Sequence, residues 1–266
     1  MYDLVIGLRV YPGISKEPIL KGSKLETFTQ VYKSILDGTG NINAKLVVFS
    51  DGCSDDFHFM MEKFKSPLID LEIKKIDCFS GIKSFRIQYE YLSLCDSKLV
   101  ALIEDDYLMQ KNTLETIFKY AKSMNFKGYY TFFNSSDYYD NYLHNYKSNI
   151  NYDNGLYWRT AASTTLTFIC SPATLKKNRV VFSTYFVGNF DHNIWSVMTK
   201  MGRWQLLTSA FKSPNMNNFK RTSKFILTYL LLFPYVVFRK ENLWICIPGK
   251  GTHLETSGIS YEYKES

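Results

Sequence analysis

The sequence predicts an α/β fold with a mostly parallel central sheet. Apolar stretches typical of buried strands alternate with helix-like periodic segments through the first 120 residues. The chain has 266 residues, 45% of them hydrophobic, which is enough to form the core of one ordinary domain. Parallel strands need long crossover connections, so this alternation favours helices that cover both faces of the sheet.

Four strands and four helices are predicted in the first half. The strands lie at 4–10, 44–49, 71–76 and 99–103, and the helices at 25–36, 57–64, 84–95 and 112–121. In the first helix, apolar residues recur at helical spacing, and the sequence Asp37-Gly-Thr-Gly marks its end. The first strand ends at Pro12-Gly13 in the same way.

The second half is less regular. Strands are predicted at 129–133 and 164–170 and a helix at 189–201, with a polar, Tyr-rich loop at 134–154. No internal repeat and no linker separates two units, so residues 1–266 are interpreted as one domain.

Composition and charge exclude several classes of protein. With 21% charged residues and abundant apolar ones, the chain is not intrinsically disordered. The net charge of +7 favours an anionic partner, but without zinc-finger spacing or a long basic block we expect no nucleic-acid binding. Five widely spaced cysteines without a CxxC pair indicate reduced thiols, and the first residues do not resemble a signal peptide. A cytoplasmic location is predicted.

The strongest chemical signal is Glu104-Asp105-Asp106, three acids directly after an apolar strand. Buried carboxylates without partners are costly, and Mg²⁺ or Mn²⁺ would resolve that cost with help from nucleotide phosphates. The alternative is a solvated turn before the next helix. Asp51 lies on the turn after the second strand, where it could accept hydrogen bonds from a base or ribose.

Basic residues accompany these acids. Arg86 lies on the helix that precedes the acidic strand and could neutralise a diphosphate, with a surface salt bridge as the alternative. Arg9 lies at the end of the first strand. Because ligands of parallel sheets bind beyond the carboxyl ends of the strands, we expect Arg9, Asp51 and residues 104–106 to converge on one crevice.

In their order, these segments resemble glycosyltransferases of the GT-A fold, particularly the inverting family 2 type. The turn Ser50-Asp51-Gly52-Cys53-Ser54-Asp55 is similar to the family's Asp-Asp-Gly-Ser turn, with Ser50 replacing the first Asp. Ser84-Phe85-Arg86-Ile87 matches an Ala-Arg-Asn-like helix start, and Glu104-Asp105-Asp106 corresponds to the DxD motif. The resemblance covers residues 4 to 120.

The resemblance implies a Rossmann-like half at 1–120 that binds a nucleotide-sugar, continuous with an acceptor-binding half at 121–266. It implies a hexosyltransferase that uses Mn²⁺ or Mg²⁺ and a UDP-, GDP- or dTDP-linked donor. The acceptor would be a hydroxyl of a glycan or lipid-linked glycan, attacked with inversion, in surface polysaccharide or glycolipid biosynthesis.

Roles on the donor side follow from the same resemblance. Asp51, with Arg9 nearby, would contact the base, and Arg86 would lie near the base or diphosphate. Asp106 would bind the metal directly, while Glu104 or Asp105 would contact the ribose or a metal-bound water. The register within the triplet is open by one residue, so Asp105 is an alternative metal ligand.

Downstream, 188–195 resembles the region in which the family carries a Glu-Asp pair at a helix start. Asp191 would be the general base, although Phe190 replaces the expected Glu and Asp191 could simply cap the helix. His192 is an alternative base.

Four further residues complete the predicted site. His253, in a glycine-flanked loop, would be an additional metal ligand and Lys250 would contact the diphosphate. Trp158 and Arg159 would line the acceptor pocket. The alternatives are a solvent-exposed histidine and a core tryptophan.

The segment 225–238 is apolar over 14 residues, interrupted by Pro234 and flanked by basic residues. It is shorter than the roughly 20 residues that a membrane-spanning helix needs. A buried helix with an appended strand, or a lid over the acceptor site, is favoured. The alternative is peripheral contact of 220–240 with the inner face of the membrane.

Two other functions stay open. A sugar nucleotidyltransferase would need a phosphate-cradling glycine-rich loop near the N-terminus, and 8–13 offers a single loop glycine. The replacements at Ser50 and Phe190 are compatible with a non-catalytic glycan-binding protein of degenerate transferase fold.

Overall fold

The structure, a computed structural model, describes residues 1–13, 19–212, 215–255 and 260. Its first half contains the predicted alternation of strands and helices. The strands are β1 (Tyr2–Val10), β2 (Ala44–Asp51), β3 (Ile69–Ile76) and β4 (Ser97–Glu104). The helices are α1 (Lys24–Thr39), α2 (Asp55–Lys63), α3 (Gly81–Leu92) and α4 (Thr113–Ser123).

These four strands form a parallel sheet in the order β3-β2-β1-β4. The register pairs Val10 with Ser50 and Arg9 with Glu104, so the carboxyl ends of β1, β2 and β4 are level. Polar residues at those ends therefore share one edge of the sheet, as the alternating pattern predicts.

The second half adds shorter elements. Its strands are β5 (Tyr107–Met109), β6 (Tyr129–Thr131), β7 (Ile150–Asp153), β8 (Leu156–Thr160), β9 (Phe168–Cys170), β10 (Leu243–Ile247) and β11 (Gly251–His253). Its helices are α5 (Asp137–Asp140), α6 (Pro172–Lys177), α7 (Arg179–Phe186), α8 (Asp191–Thr199), α9 (Arg203–Lys212), α10 (Met216–Leu231) and α11 (Phe233–Phe238).

One sheet joins the two halves. Within the described residues its order is β3-β2-β1-β4-β9-β6-β10-β8-β7. Among the described strands of this sheet, β8 and β9 are antiparallel to all the others. The predicted fold class is confirmed: a Rossmann-like half with a mostly parallel sheet continues directly into the second half, the arrangement that the GT-A resemblance implies.

Side-chain alternation along the strands divides the core into two layers. On β1, Leu4, Ile6 and Leu8 pack against α1, α2 and α4 on one face, whereas Val5 faces α3 on the other. The second layer also contains apolar residues of α6, α7, α8 and α10. Strands buried on both faces read as continuous apolar runs, which is why they were predicted accurately.

Several expectations for the second half were wrong. The predicted loop at 134–154 contains α5, a short 3₁₀ turn (Tyr142–His144) and β7, and β7 pairs with β8. The strand predicted at 164–170 is limited to β9, and the one at 129–133 to β6. Polar, Tyr-rich strands at a sheet edge lack the apolar run that identifies buried strands.

The interpretation of 225–238 as a buried helix with an appended strand was also wrong. The segment forms the C-terminal part of α10 and all of α11, and many of its apolar side chains are exposed. None of the helices in the described part of the chain combines the length and apolarity needed to cross a bilayer.

Candidate functional site

A cavity of about 360 Å³ opens at the carboxyl edge of the sheet. The ends of β1, β2 and β4 and the N-terminus of α3 form its walls. Its lining consists of Arg9, Val10, Tyr11, Asp51, Phe79, Ser80, Gly81, Ser84, Glu104, Asp105 and Asp106. We call it the first cavity. Arg9, Asp51 and the acidic triplet therefore meet in one crevice, as the strand register requires.

Arg9 connects two walls of the first cavity. Its Nη2 donates to Glu104 Oε1 at 2.5 Å, and its Nη1 donates to the Gly81 carbonyl oxygen at 2.7 Å. The guanidinium also lies over the Phe85 ring. Burial raises the pKa of Glu104 to about 7, although the nearby Arg9 charge acts in the opposite direction. This pair fixes the geometry of the strand ends.

Asp51 holds the loop that precedes α3. Its Oδ1 accepts hydrogen bonds from the backbone N–H groups of Cys78 at 2.7 Å and Phe79 at 3.0 Å. Phe79 lies in the left-handed region at φ 45°, and its ring extends into solvent beside the cavity. Asp51 thus supports the cavity wall through this loop while also lining the cavity.

The second acid of the triplet faces the other side of the cavity mouth. Asp105 Oδ2 lies 2.9 Å from Lys24 Nζ and accepts the backbone N–H of Tyr11 at 3.0 Å. Burial raises the pKa of Asp105, and the Lys24 charge opposes that increase. Asp105 therefore ties the start of α1 to the end of β4.

The third acid, Asp106, lies in a separate cluster. The strand β5 pairs antiparallel with β11, with Tyr107 opposite His253, and the backbone N–H of Leu254 donates to the Asp106 carbonyl oxygen at 2.7 Å. This pairing sets His253 Nε2 3.0 Å from Asp106 Oδ2. Glu255 Oε2 lies 3.8 Å from His253 Nδ1.

Asp106, His253 and Glu255 fit a hard divalent cation. Each offers one ligand atom, and these atoms lie within 4.8 Å of one another. Among the described residues, Asp106 Oδ1 is buried without a hydrogen-bond partner. Two carboxylates and an imidazole suit Mn²⁺ well, and Mg²⁺ accepts the same oxygen ligands.

The charge of this cluster also affects His253. Burial by itself lowers the pKa of the imidazole, but the hydrogen bond and charge of Asp106, with the charge of Glu255, outweigh it and raise the pKa.

A second, smaller cavity of about 200 Å³ lies nearby, at the start of α8. Its lining is largely polar: Phe133, Ser135, Asp137, Tyr138, Asn141, Leu143, His144, Ser163, Thr164, Thr165, Asp191, His192 and Arg221. We call it the second cavity. The Tyr107 hydroxyl, one residue after Asp106, hydrogen-bonds Thr165 in this lining at 2.8 Å, which links the two cavities.

Asp191 is the first residue of α8, and Phe190 occupies the N-cap position. Asp191 Oδ1 accepts the backbone N–H of His192 at 2.6 Å. Burial raises the pKa of this carboxyl, while that hydrogen bond and the charge of Arg221 oppose the increase. A carboxylate with a raised pKa is a better proton acceptor than a solvated one.

His192 lines the same cavity in a different environment. Its Nδ1 lies 3.1 Å from Ser163 Oγ, and its ring meets the His144 ring edge to face. Burial lowers the pKa of His192 well below its usual range, so the ring is neutral at pH 7. A lowered pKa makes the ring a weaker proton acceptor than an ordinary histidine, which does not favour His192 as the alternative base.

Tyr185 on α7 packs edge to face against Phe85 of α3, with ring centroids 5.4 Å apart. Burial raises the pKa of its hydroxyl, and the charges of Glu104 and Asp191 add to that effect. Tyr185 itself lines neither cavity.

Two predicted donor-side residues lie elsewhere. Arg86 is on the exposed face of α3, where its Nε pairs with Glu90 Oε1 at 2.9 Å and its guanidinium covers Phe186. This is the surface salt bridge given above as the alternative. Lys250 lies between β10 and β11, and its carbonyl oxygen accepts from Gln110 N at 2.8 Å and Thr113 Oγ1 at 2.9 Å. Neither residue lines the first cavity.

The predicted acceptor residues are also displaced. Trp158 is fully buried and stacks on Tyr120, with ring centroids 3.9 Å apart and an interplanar angle of 6°. It is a core residue, because inward positions of β8 pack onto α4. Arg159, on the opposite face of β8, lies over the rings of Tyr138 and Tyr139. Tyr138 lines the second cavity, but Arg159 itself does not.

Sequence reasoning missed, among other residues, Tyr11 and Phe79 of the first cavity, Arg221 of the second cavity and Glu255 of the candidate metal cluster. Glu255 had a detectable signal, since residues i and i+2 of an extended segment share a face and His253 was already a candidate ligand. The two aromatic residues had no such signal in a chain with 20 Tyr and 20 Phe.

No family model matches the chain, and no curated protein matches it. Solved structures that are similar to it include three of TarS from S. aureus. For TarS itself the identity is 13% and the TM-score 0.43, covering 66% of this chain and 29% of TarS. For TarS 1-349 the values are 10% and 0.47, covering 86% and 72%.

For TarS 1-349 in complex with UDP, the identity is 13% and the TM-score 0.45, covering 73% of this chain and 54% of that one. The chain thus spans less than a third of the length of TarS. At these TM-scores, the likeness does not identify a family.

Proposed function

We propose that this protein is a metal-dependent glycosyltransferase of the GT-A type that transfers a hexosyl group from a nucleotide-sugar to a glycan hydroxyl. The observation that carries the proposal is the cluster of Asp106, His253 and Glu255 at the end of β4, beside the first cavity. A divalent-cation site next to a cavity at the carboxyl edge of a parallel sheet suits a nucleoside diphosphate.

The donor would occupy the first cavity. Tyr11 and Phe79 present partly exposed rings on which a base could stack, and Asp51 shapes the wall beneath Phe79. The N-terminus of α3 lines the cavity, and the positive end of its helix dipole favours an anionic diphosphate. Arg9 lies at the same wall, paired with Glu104.

Asp106, His253 and Glu255 would hold Mn²⁺ or Mg²⁺, with Asp106 as the central ligand because its Oδ1 is buried and unpaired among the described residues. When bound, the cation supplies positive charge that stabilises the leaving nucleoside diphosphate. Glu104 and Asp105 would act differently, since Arg9 and Lys24 already neutralise them.

The acceptor would occupy the second cavity. Asp191 would take the proton of the acceptor hydroxyl as that oxygen attacks the anomeric carbon, whose bond to the diphosphate oxygen breaks. Direct displacement of this kind inverts the anomeric configuration. The polar lining of Ser163, Thr164 and Asn141 suits a sugar, which is consistent with a glycan or lipid-linked glycan of a surface polysaccharide or glycolipid.

Thermal unfolding with UDP, GDP, dTDP or CMP, each with and without Mn²⁺, tests the donor site. At 100 times its Kd, a ligand of the folded state adds about 2.7 kcal/mol of stability, on the order of 5 °C in Tm for a chain of this size. We expect one nucleoside diphosphate to do so only with metal. Asp106→Asn should abolish the effect.

Two variants make this test specific. Asp56→Asn, an exposed acid on α2, should keep the full metal-dependent shift. Asp191→Asn should also keep it while reducing transfer by about 10²- to 10⁴-fold, the usual contribution of a general base. Stabilisation by none of the four nucleotides, or transfer unaffected by both Asp106→Asn and Asp191→Asn, would contradict the proposal.

A further inference from the structure

The helix α10 exposes an apolar stripe to solvent. Its buried face carries Thr222, Phe225 and Thr228, which pack onto the body of the protein. The opposite face carries apolar side chains at helical spacing: Met216, Phe219, Ile226, Leu227, Leu230 and Leu231. Leu231 is 69% exposed, so this stripe is not covered by any described part of the chain. A solvent-facing stripe of this kind is unusual for a surface helix.

Neighbouring helices extend the stripe into a continuous surface. On α9, Trp204, Leu207 and Phe211 face outward at helical spacing, and Phe233 and Phe238 do so on α11. Phe211 and Phe238 are 85% and 84% exposed. An apolar groove of about 210 Å³ joins α9 to α10, lined by Arg203, Leu207, Phe225, Ile226, Tyr229 and Leu230. We call this surface the α9–α11 face.

The same segment carries the net positive charge of the whole protein. Residues 203–240 contain seven basic side chains and no acidic one: Arg203, Lys212, Lys220, Arg221, Lys224, Arg239 and Lys240. The rest of the chain therefore holds 25 basic and 25 acidic residues. Lys212, Lys220, Lys224, Arg239 and Lys240 are exposed. Exposed apolar side chains bordered by lysine and arginine are complementary to an anionic lipid surface.

We propose that the α9–α11 face binds the surface of a bilayer that contains anionic phospholipids. The helices would lie in the plane of the membrane, since none of those described is long and apolar enough to cross it. Phe211, Leu231 and Phe238 would enter the boundary between headgroups and acyl chains. The basic side chains would remain at the level of the headgroup phosphates.

This face is attached directly to the second cavity. Arg221 on α10 lines that cavity together with Asp191. Lys224 Nζ donates to the Gly188 carbonyl oxygen, and Asn193 Nδ2 on α8 donates to the Arg221 carbonyl oxygen at 3.0 Å. The second cavity would therefore lie close to the headgroups. If the proposed function holds, the acceptor is a lipid-linked glycan whose sugar enters from the membrane side.

Co-sedimentation with vesicles tests the membrane contact without nucleotide or metal. Vesicles of phosphatidylcholine with about 30% phosphatidylglycerol, an anionic lipid, should bind the wild-type protein. Vesicles of pure phosphatidylcholine should bind it at least tenfold more weakly. Leu231→Ser with Phe238→Ser should lower partitioning into the anionic vesicles at least tenfold, because two large apolar side chains no longer insert. Lys220→Gln with Lys240→Gln should lower it by roughly fivefold for each charge removed.

Matched variants on other faces control for these changes. Phe59→Ser with Leu94→Ser removes two equally exposed apolar side chains, and Lys65→Gln with Lys122→Gln removes two exposed charges. Both should bind anionic vesicles like wild type. All variants should unfold at nearly the wild-type temperature, because the substituted side chains are exposed.

Three results would overturn the proposal. The wild-type protein could fail to bind anionic vesicles, or the matched controls could lose binding to the same extent. The protein could also form a stable dimer in solution that Leu231→Ser with Phe238→Ser dissociates. The last result would show that the face joins two copies of the chain. Vesicle binding with no nucleotide binding would remove the proposed function and leave the membrane contact intact.

Discussion

At the scale of single residues, three consecutive acids have three different partners. Glu104 pairs with Arg9, Asp105 with Lys24 and Asp106 with His253. Two of the carboxylates are thus neutralised by cations of the chain itself. Asp106 faces His253 and a second carboxylate, that of Glu255. This difference in partners, and not the residue type, distinguishes Asp106 as the candidate metal ligand of the three acids.

A substitution at Phe79 tests the proposed site for the donor base. If its ring stacks on the donor base, Phe79→Ala should weaken nucleoside diphosphate binding by about 1–3 kcal/mol, the usual value for base–aromatic stacking. Calorimetric titration with Mn²⁺ present measures this change. Phe59→Ala on α2, another largely exposed phenylalanine, should leave the Kd unchanged. Equal affinities for wild type and Phe79→Ala would exclude the ring from the base site.

At the scale of secondary structure, the short pairing of β5 with β11 builds the candidate metal site. It brings His253 beside Asp106, which precedes it by 147 positions in the chain. Gly251 on β11 has no room for a side chain, because an added Cβ would lie 2.7 Å from the Leu108 carbonyl oxygen and 2.6 Å from the Phe132 ring. Close backbone contact therefore holds the ligand strand in place.

The stacking of β8 on α4 predicts a structural role for Trp158. Removing this fully buried indole in Trp158→Ala should lower the free energy of unfolding by about 3–5 kcal/mol. Denaturant titration measures the loss. Trp204→Ala, which removes an exposed indole, should change it by no more than about 0.5 kcal/mol. If Trp158→Ala were as stable as wild type but bound the acceptor more weakly, the predicted role of Trp158 in acceptor binding would be supported instead.

At the scale of the whole molecule, positive charge and exposed apolar surface are concentrated together. The N-terminal half presents the first cavity at the edge of the sheet, and the net charge resides in 203–240 at the other side of the second cavity. Under the two proposals, one face would bind a nucleotide and another a lipid surface, and Asp191 would lie in the second cavity.

The buried histidines predict how global stability depends on pH. Burial, with the charge of Arg159, lowers the pKa of His144 from 6.5 to about 4. Between these values the unfolded chain binds a proton that the folded chain does not, so stability falls as pH drops from 6.5 toward 4. His144→Gln should reduce the slope of unfolding free energy against pH there by up to about 1.4 kcal/mol per unit.

Urea titrations across this range measure the slope. Near pH 8, where His144 is neutral in both states, wild type and His144→Gln should have parallel curves. An unchanged slope below pH 6.5 would mean that His144 is protonated in the folded protein.

Strands and site residues were predictable from the sequence where a local sequence pattern encodes them. The parallel strands β1, β2, β3 and β4 were predicted because apolar runs are local, and the acids at their ends followed from the register of any parallel sheet. The edge strand β7 and its neighbour β8 were missed because their exposed, Tyr-rich faces resemble those of a loop. Arg86 and Trp158 were misplaced because a helix or strand has two faces, and sequence spacing alone does not say which one meets the cavity.

The sequence by itself determined the α/β class, the carboxyl edge on which Arg9, Asp51 and Glu104 converge, and the charge of the segment 203–240. All three depend on short-range periodicity or on composition. Tertiary structure alone decided that Glu255 joins Asp106 and His253, and that the apolar side chains of α10 and α11 face solvent. Those outcomes depend on contacts between distant segments, because whether a side chain is buried is set by what packs against it and not by its own hydrophobicity.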